Sequence, residues 1–266
     1  MKVKQYIVTY NNEYQINKCI DSIYDNLSDD ELSMLDITVI SNHSNLILSE
    51  INKKRVNVLM NDLRPDFSTG HLARNWNQCI INGFVSLKNP ACDILITCQD
   101  DTEFQLNYIS QLIDLHKKYS FIQLGSGDAC ISYTPSSVIK IGLWDERFCN
   151  IGHQEADYFL RAYLYNNEHS SINDPHGKYL NQIDHYAIIK NTVSGCDRQE
   201  SYHIESQRYH HVSHKVYNAK WGFLGVNNWL DEAPIISNPL INSFILYPYF
   251  EKDISYDSLV KQKYIF

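Results

Sequence analysis

The sequence predicts an α/β fold in which a mostly parallel sheet is flanked by helices. Short β-rich runs alternate with segments of helical spacing through the first half of the chain, and this alternation is typical of parallel sheets. Polar segments follow three of the predicted strands, at 9–13, 41–45 and 99–103. Ligands bind beyond the carboxyl ends of such strands, so these segments mark the expected site.

The elements follow in order from hydrophobic periodicity. Residues 3–10 form a β-rich run that two asparagines end, and 14–27 have helical spacing with one isoleucine-rich face. Further strands are predicted at 36–40, 55–59, 93–98, 121–124 and 129–133. The other predicted helices are 71–85 and 104–119.

The pattern changes after residue 165, which predicts two regions of one domain. Residues 1–165 form the α/β core, and 166–266 form a C-terminal elaboration packed on it, with a candidate strand at 183–189. No linker rich in Gly, Pro or Ser separates the two regions. The 266 residues, 44% of them hydrophobic, suffice for such a core.

Composition excludes several classes of protein. The formal net charge of −8 argues against binding nucleic acid through bulk charge. No apolar run is long enough to cross a bilayer, and the N-terminus lacks the apolar stretch of a signal peptide. The seven cysteines are scattered without a CxxC motif, which predicts reduced thiols. A cytoplasmic location is expected, in the host cell if the source is viral, with at most peripheral membrane contact.

The strongest local signal is the acidic turn in CQDDTEF, where Asp100 and Asp101 follow an apolar strand. Hard cations such as Mg²⁺ and Mn²⁺ bind through one or two carboxylates together with phosphates. An acidic protein can hold a diphosphate through such a bridge. The alternative is that both carboxylates cap a helix beginning near Phe104.

A second signal lies in GHQEADYFLRA. Asp157 and Arg161 are four residues apart and can pair on one helix face, which leaves Glu155 as a candidate general base. The alternative is that the first-turn carboxylates stabilise the helix dipole. In STGHLARNWN, Gly70 permits close approach of a ligand and Arg74 can reach a nucleotide, although an ordinary capped helix has the same pattern.

Histidines are concentrated after residue 150, and His211 and His214 are three residues apart in YHHVSHK. Surface histidines are the usual explanation of such spacing. A dedicated zinc site is a weaker alternative than one histidine that completes a metal shell. The motifs GxGxxG, GxxxxGK[ST] and GxSxG are absent.

In their order along the chain, these segments resemble the GT-A glycosyltransferases, especially the family-2-like group found in bacteria and large viruses. YIVTYNNEYQINKCIDSI is similar to that family's opening strand and helix, and HLARNWNQCI to its Arg-Asn helix. ILITCQDDTEF resembles the strand with the DxD metal motif, and GHQEADYFLRA the helix with the catalytic base. The resemblance covers roughly residues 3–165, with weaker support to about 250.

The resemblance implies roles for individual residues. The DxD motif falls on Gln99, Asp100 and Asp101. Asp101 takes the place of the carboxylate that binds Mn²⁺ or Mg²⁺, while Gln99 or Asp100 contacts the nucleotide ribose. His185 is the candidate to complete the metal shell, with His214 as the second choice.

The implied function is a metal-dependent inverting glycosyltransferase of polysaccharide biosynthesis, with Glu155 in the place of the catalytic base. The donor is a nucleotide-diphosphate sugar, and the acceptor is a hydroxyl of a glycan, glycolipid or glycoprotein. The acidic residue with which the family reads the base falls on Ser41 and Asn42 in this chain, so the identity of the nucleotide base stays open. The residues implied to line the nucleotide pocket are Thr9, Tyr10, Asn11, Glu13, Asn42 and Arg74.

Two other functions stay open. A sugar-nucleotide pyrophosphorylase has a related fold, but the Gly-rich basic loop expected near its N-terminus is missing. A degenerate GT-A module that binds glycan without turnover is compatible with Gln99 and Gln154, which replace carboxylates of the family.

Overall fold

The computed structural model describes residues 1–61, 72–125, 127–146, 148, 153–166 and 188–191. The strands are β1 (Val3–Thr9), β2 (Leu35–Ser41), β3 (Asn57–Met60), β4 (Ile94–Gln99), β5 (Thr102–Phe104), β6 (Phe121–Leu124), β7 (Cys130–Tyr133) and β8 (Ile189–Asn191). The helices are α1 (Glu13–Asn26), α2 (Asp29–Met34), α3 (Leu72–Phe84), α4 (Tyr108–His116), α5 (Pro135–Ile141) and α6 (His153–Asn166).

Six of the strands form one mixed sheet in the order β3-β2-β1-β4-β7-β6. The first four of these strands run parallel, and β7 runs antiparallel to both β4 and β6. The remaining strands, β5 and β8, pair as a separate antiparallel ribbon. The predicted α/β fold with a mostly parallel sheet is confirmed.

Helix α1 buries the isoleucine face that the sequence predicts. Ile16, Ile20 and Ile23 are fully buried in the core cluster that also contains strands β1 and β4. The helix begins after Asn12, whose side chain accepts a hydrogen bond from the backbone N–H of Gln15 at 3.3 Å, as an N-cap does. Burial of three isoleucines contributes roughly 5–9 kcal/mol before entropy is counted.

The chain divides into two compact units. Unit 1 contains Met1–Ser68, Ala91–Thr134 and Gln182–Asp197, and therefore the whole sheet. Unit 2 contains Thr69–Pro90, Pro135–Asn181 and Arg198–Phe266. Of the C-terminal elaboration predicted for 166–266, only 166 and 188–191 lie within the described residues.

The predicted helix at 104–119 is wrong at its start. Phe104 belongs to β5, where it pairs with Ile189, and α4 begins only at Tyr108. Asn107, which precedes α4, has a left-handed backbone with φ of 55°. The error arises because the β5–β8 pairing joins segments that are far apart in the chain, and periodicity reports only local spacing.

The cysteines within the described ranges are buried, and none of these cysteines forms a disulfide bond. A hydrogen bond with Cys98 and, as a smaller cause, burial raise the pKa of the Cys19 thiol well above its ordinary value. Burial raises the pKa of Cys92 to about 12. Such thiols stay protonated at neutral pH and act as small apolar core residues. Cys149 and Cys196 lie outside the described residues.

The buried carboxylate of Glu31 caps two helices. One oxygen accepts from the backbone N–H and hydroxyl of Ser28, which completes the capping box of α2. The other oxygen accepts from the backbone N–H (2.9 Å) and hydroxyl (2.7 Å) of Ser110 in the first turn of α4. Burial raises the pKa of Glu31, but the hydrogen bonds from both serines outweigh it and hold the pKa below its ordinary value of 4.5.

Glu31→Gln is therefore expected to lower the free energy of unfolding by about 2 kcal/mol at neutral pH. Because the folded-state pKa lies below the unfolded one, the contribution is complete above pH 4.5 and is lost as the pH falls through the folded-state pKa. Urea unfolding of both proteins from pH 7 to pH 3 measures this difference. Glu50→Gln, at a largely exposed carboxylate, is the control, and a difference independent of pH would contradict the assignment.

Candidate functional site

The carboxyl ends of β1, β2 and β4 lie side by side in the sheet. The register pairs Thr9 with Ser41 across β1 and β2, and Val8 with Gln99 across β1 and β4. The backbone N–H of Asn42 also donates to the carbonyl of Thr9 at 3.0 Å. The polar segments that follow these three strands therefore start from one edge, as the sequence predicts.

The acidic turn connects β4 to β5 at this edge. Asp100 accepts a hydrogen bond from the hydroxyl of Thr9, and the side chain of Asp101 is largely buried, with the residue 7% exposed. Since β5 follows directly and α4 begins at Tyr108, the alternative that these carboxylates cap that helix is wrong. Thr9 is itself buried, so its hydroxyl serves to hold Asp100 in place.

Asp128 is a further carboxylate at this edge that the sequence motifs did not indicate. Its Oδ1 accepts a hydrogen bond from Nε2 of Gln99 at 2.6 Å. It lies in the loop between β6 and β7, beside Gly125 and Gly127, whose φ values of 74° and 57° favour glycine. In the sequence, the glycines in the turn between two apolar strands are the local signal that could have indicated Asp128.

Polar and aromatic side chains stand beside the end of β2. Asn42 is buried, and its Oδ1 accepts from Nδ2 of Asn61 at 3.3 Å. The backbone N–H of Asn61 donates to the carbonyl of Ser41 at 2.7 Å. The rings of Tyr10 and His43 meet edge to face at 5.4 Å between centroids. An amide pair and an aromatic edge are suited to contact a planar heterocycle.

The turn from β1 into α1 presents two of the predicted pocket residues to solvent. Asn11 and Glu13 are exposed, and Asn11 has a left-handed φ of 47°, a conformation in which asparagine is enriched. Glu13 is the acidic residue of the first helical turn.

Arg74, in the first turn of α3, belongs to unit 2. Its Nε lies 3.7 Å from Oε2 of Glu146. Nδ2 of Asn77 donates to Oε1 of Glu146 at 2.8 Å and to the carbonyl of Trp144 at 2.9 Å. The backbone N–H of Trp144 donates back to Oδ1 of Asn77 at 2.7 Å. A buried asparagine thus fixes the carboxylate that pairs with a largely exposed arginine.

Helix α6 of unit 2 contains the predicted base. Glu155 is partly exposed in the first turn, whereas Asp157 and Arg161 are buried and pair at 2.9 Å between Nε and Oδ2. Nη1 of Arg161 also donates to the carbonyl of Ile141 at 2.7 Å, which ties α6 to the end of α5. The predicted pairing of Asp157 with Arg161 is confirmed.

The predicted site residues thus fall into four groups, one of which is Asn11 and Glu13 in the exposed turn between β1 and α1. Those gathered at the sheet edge of unit 1 are Thr9, Tyr10, Asn42, Gln99, Asp100 and Asp101. Arg74 and Glu155 belong to unit 2. The predicted metal ligand His185, together with His211 and His214, lies outside the described residues.

The described parts of the chain contain no group of three or more His, Cys, Asp or Glu side chains that could hold a metal ion. Among the helices in these same parts, none has both the length and the apolar character required to span a membrane.

Unit 1 has the mostly parallel sheet, the flanking helices and the acidic turn after β4 in the order that the motifs predict. This α/β arrangement is the one expected from the GT-A fold that the motifs resemble. No protein-family model and no curated protein matches the sequence.

Several solved structures are partly similar to this chain. TarS 1-349 of S. aureus has a TM-score of 0.43 and 12% identity, over 62% of this chain and 56% of that one. Its complex with UDP has a TM-score of 0.43 and 13% identity, over 60% and 56%. The mannosyltransferase PcManGT of Pyrobaculum calidifontis, in complex with GDP-Man and Mn²⁺, has a TM-score of 0.43 and 10% identity, over 82% and 61%.

In these three comparisons the matched part of this chain spans between 56% and 61% of the solved chains. At such identities the likeness concerns the fold alone, and fold does not determine substrate. The activity of this chain must therefore be argued from its own side chains.

Proposed function

We propose that this chain is a metal-dependent inverting glycosyltransferase that uses a nucleotide-diphosphate sugar as donor. The observation that supports the proposal is the edge of the sheet, where Thr9 holds Asp100 beside the buried Asp101. Crevices at the carboxyl ends of parallel strands are where α/β proteins bind ligands. A chain with a net charge of −8 can bind a diphosphate there if a cation bridges the protein's carboxylates and the diphosphate.

The carboxylates fit a hard divalent cation. Asp100 and Asp101 are adjacent oxygen donors, and Mg²⁺ or Mn²⁺ is often bound by one or two carboxylates together with substrate phosphates. Bound there, the cation supplies positive charge against the diphosphate that departs. His185 is proposed as a further ligand, with His214 as the second choice.

Glu155 is proposed as the general base. In a single displacement, the acceptor hydroxyl attacks the anomeric carbon from the face opposite the diphosphate, and its proton passes to the carboxylate of Glu155. The bond from the anomeric carbon to the diphosphate oxygen breaks, and its electron pair leaves with the nucleoside diphosphate. One displacement inverts the configuration. The acceptor is proposed to be a glycan hydroxyl.

The side chains beside β2 are proposed to contact the nucleoside. Asn42 and Asn61 offer amide donors and acceptors, and Tyr10 with His43 offers an aromatic edge. Neutral amides can form hydrogen bonds with several bases. This arrangement therefore favours a heterocyclic base but does not determine which one. Asn11, Glu13 and Arg74 are proposed to complete the nucleotide contacts, and Thr9 is proposed to contribute through its hydrogen bond to Asp100.

Release of nucleoside diphosphate tests the proposed function. The purified chain is incubated with a panel of UDP- and GDP-sugars, with Mn²⁺, with Mg²⁺ or with EDTA, and the released nucleotide is measured. Slow hydrolysis of one donor, lost in EDTA, is the expected result, and glycan acceptors should accelerate it. Absence of nucleotide release from every donor under all conditions would contradict the proposal, and glycan binding without donor turnover would instead favour the non-catalytic module.

A further inference from the structure

The amide of Gln99 is held in one orientation by Asp128. Nε2 of Gln99 donates to Oδ1 of Asp128 at 2.6 Å, and the backbone N–H of Gln99 donates to the carbonyl of Ala129 at 2.9 Å. An ionised carboxylate only accepts hydrogen bonds, so the amide must turn its nitrogen toward Asp128. The opposite rotation would bring two oxygen atoms together and leave the buried carboxylate without this donor.

The loop that contains Asp128 is anchored on both sides. Asp128 is 1% exposed, and Nε2 of Gln123 donates to the carbonyl of Gly127 at 2.7 Å. The hydroxyl of Thr102 donates to the carbonyl of Ala129 at 3.1 Å. Because this loop is tied to β6 and to β5, Asp128 is a fixed acceptor that imposes its geometry on Gln99.

The fixed orientation determines what Gln99 offers to a ligand. Its carbonyl oxygen Oε1 is the end turned away from Asp128, and because this oxygen has two lone pairs it can accept from a ligand in addition to any protein donor. A diphosphate only accepts hydrogen bonds at neutral pH, so it is not a partner for this oxygen. In a nucleotide sugar, the groups on either side of the diphosphate donate through hydroxyls.

We propose that Asp128 is a positioning residue that fixes Gln99 as the hydrogen-bond acceptor for a hydroxyl of the nucleotide sugar. The inference rests on the proposed function and extends it to a residue outside the acidic turn. The pair of Gln99 and Asp128 offers a hydrogen-bond acceptor beside Asp100. A neutral amide can thus stand at position 99 without turning a donor toward the ligand.

Exchange of the two side chains tests the pairing itself. Gln99→Glu sets two carboxylates against each other and is expected to lower the thermal unfolding temperature, while Asp128→Asn frees the Gln99 amide to rotate. The double variant Gln99→Glu with Asp128→Asn reverses donor and acceptor, keeps an acceptor at position 99, and is expected to regain stability and nucleotide affinity. Asp114→Asn, at a carboxylate whose side chain is 72% exposed, is the matched control.

Ligand discrimination separates a positioning role from a structural one. Calorimetry with Mn²⁺ compares UDP and GDP with their 2′- and 3′-deoxy counterparts and with the corresponding nucleotide sugars. Wild-type protein is expected to bind the hydroxylated ligand about tenfold more tightly, and Asp128→Asn is expected to lose this preference. A preference for ribose over deoxyribose assigns a ribose hydroxyl, and a preference confined to the complete nucleotide sugar assigns a hydroxyl of the donor sugar.

The outcomes distinguish this inference from the proposed function. The inference is overturned if wild-type protein binds nucleotides but Asp128→Asn keeps the same preference for the hydroxylated ligand. It is also overturned if the double variant regains neither stability nor nucleotide affinity. In both cases the proposed function stands. If wild-type protein binds no nucleotide at all, the proposed function and the ligand assigned to Gln99 are overturned together.

Discussion

Asp101→Asn is expected to abolish the dependence of nucleotide binding on Mn²⁺. Asparagine keeps the size of this largely buried side chain but removes the charge that a hard cation requires of its ligand. Loss of groups that merely support a metal ligand costs roughly 10- to 100-fold in affinity, so loss of the ligand itself should reach the top of that range. Calorimetric titration with UDP and GDP, with and without Mn²⁺, measures the effect.

Asp114→Asn provides the control for this substitution, because its carboxylate is exposed and pairs with Lys117 one helical turn away. That variant should keep the full response to Mn²⁺. Circular dichroism should show the same secondary structure for both variants. An unchanged increase in nucleotide affinity on addition of Mn²⁺ to Asp101→Asn would remove Asp101 from the metal site.

Glu155→Gln is expected to leave donor binding within about twofold of the wild type and to lower the rate of transfer roughly 100- to 10,000-fold. A positioned general base contributes about this factor, and the amide cannot accept the proton. Single-turnover transfer to a glycan acceptor, with donor affinity measured separately, divides chemistry from binding.

The competing explanation of Glu155 makes a different prediction. A first-turn carboxylate that only stabilises the dipole of α6 contributes up to about 1 kcal/mol to stability and nothing to transfer. Glu50→Gln, at an exposed carboxylate, should change neither quantity. Near-normal transfer by Glu155→Gln, accompanied by a small loss of stability, would place the base elsewhere.

Local patterns predicted several features of both units correctly. The burial of Ile16, Ile20 and Ile23 follows from helical spacing, and the strands followed by polar segments are the parallel strands β1, β2 and β4. Asp157 and Arg161 were paired from their spacing of four residues, which places both on one helix face. Each of these features depends on residues close together in the chain, where periodicity is informative.

The start of α4 and the surroundings of the acidic turn could not be predicted in this way. Phe104 is in a strand because Ile189 pairs with it, and Asp100 is held by the hydroxyl of Thr9 from another strand. Neither the strand pairing nor this hydrogen bond can be predicted from the spacing of nearby residues. The antiparallel placement of β7 between β4 and β6 likewise depends on which strands pair, and a run of apolar residues does not determine that pairing.

The sequence alone thus determined the α/β class, the order of the motifs and the acidic turn that follows β4, because hydrophobic periodicity and residue type act over a few neighbouring positions. Only the tertiary structure decided that Asp128 faces Gln99 across a separation of 29 residues. The loop between β6 and β7 is brought to the end of β4 by strand pairing. Whether the amide at position 99 presents its oxygen or its nitrogen depends on that buried carboxylate, since an ionised carboxylate accepts hydrogen bonds and does not donate them.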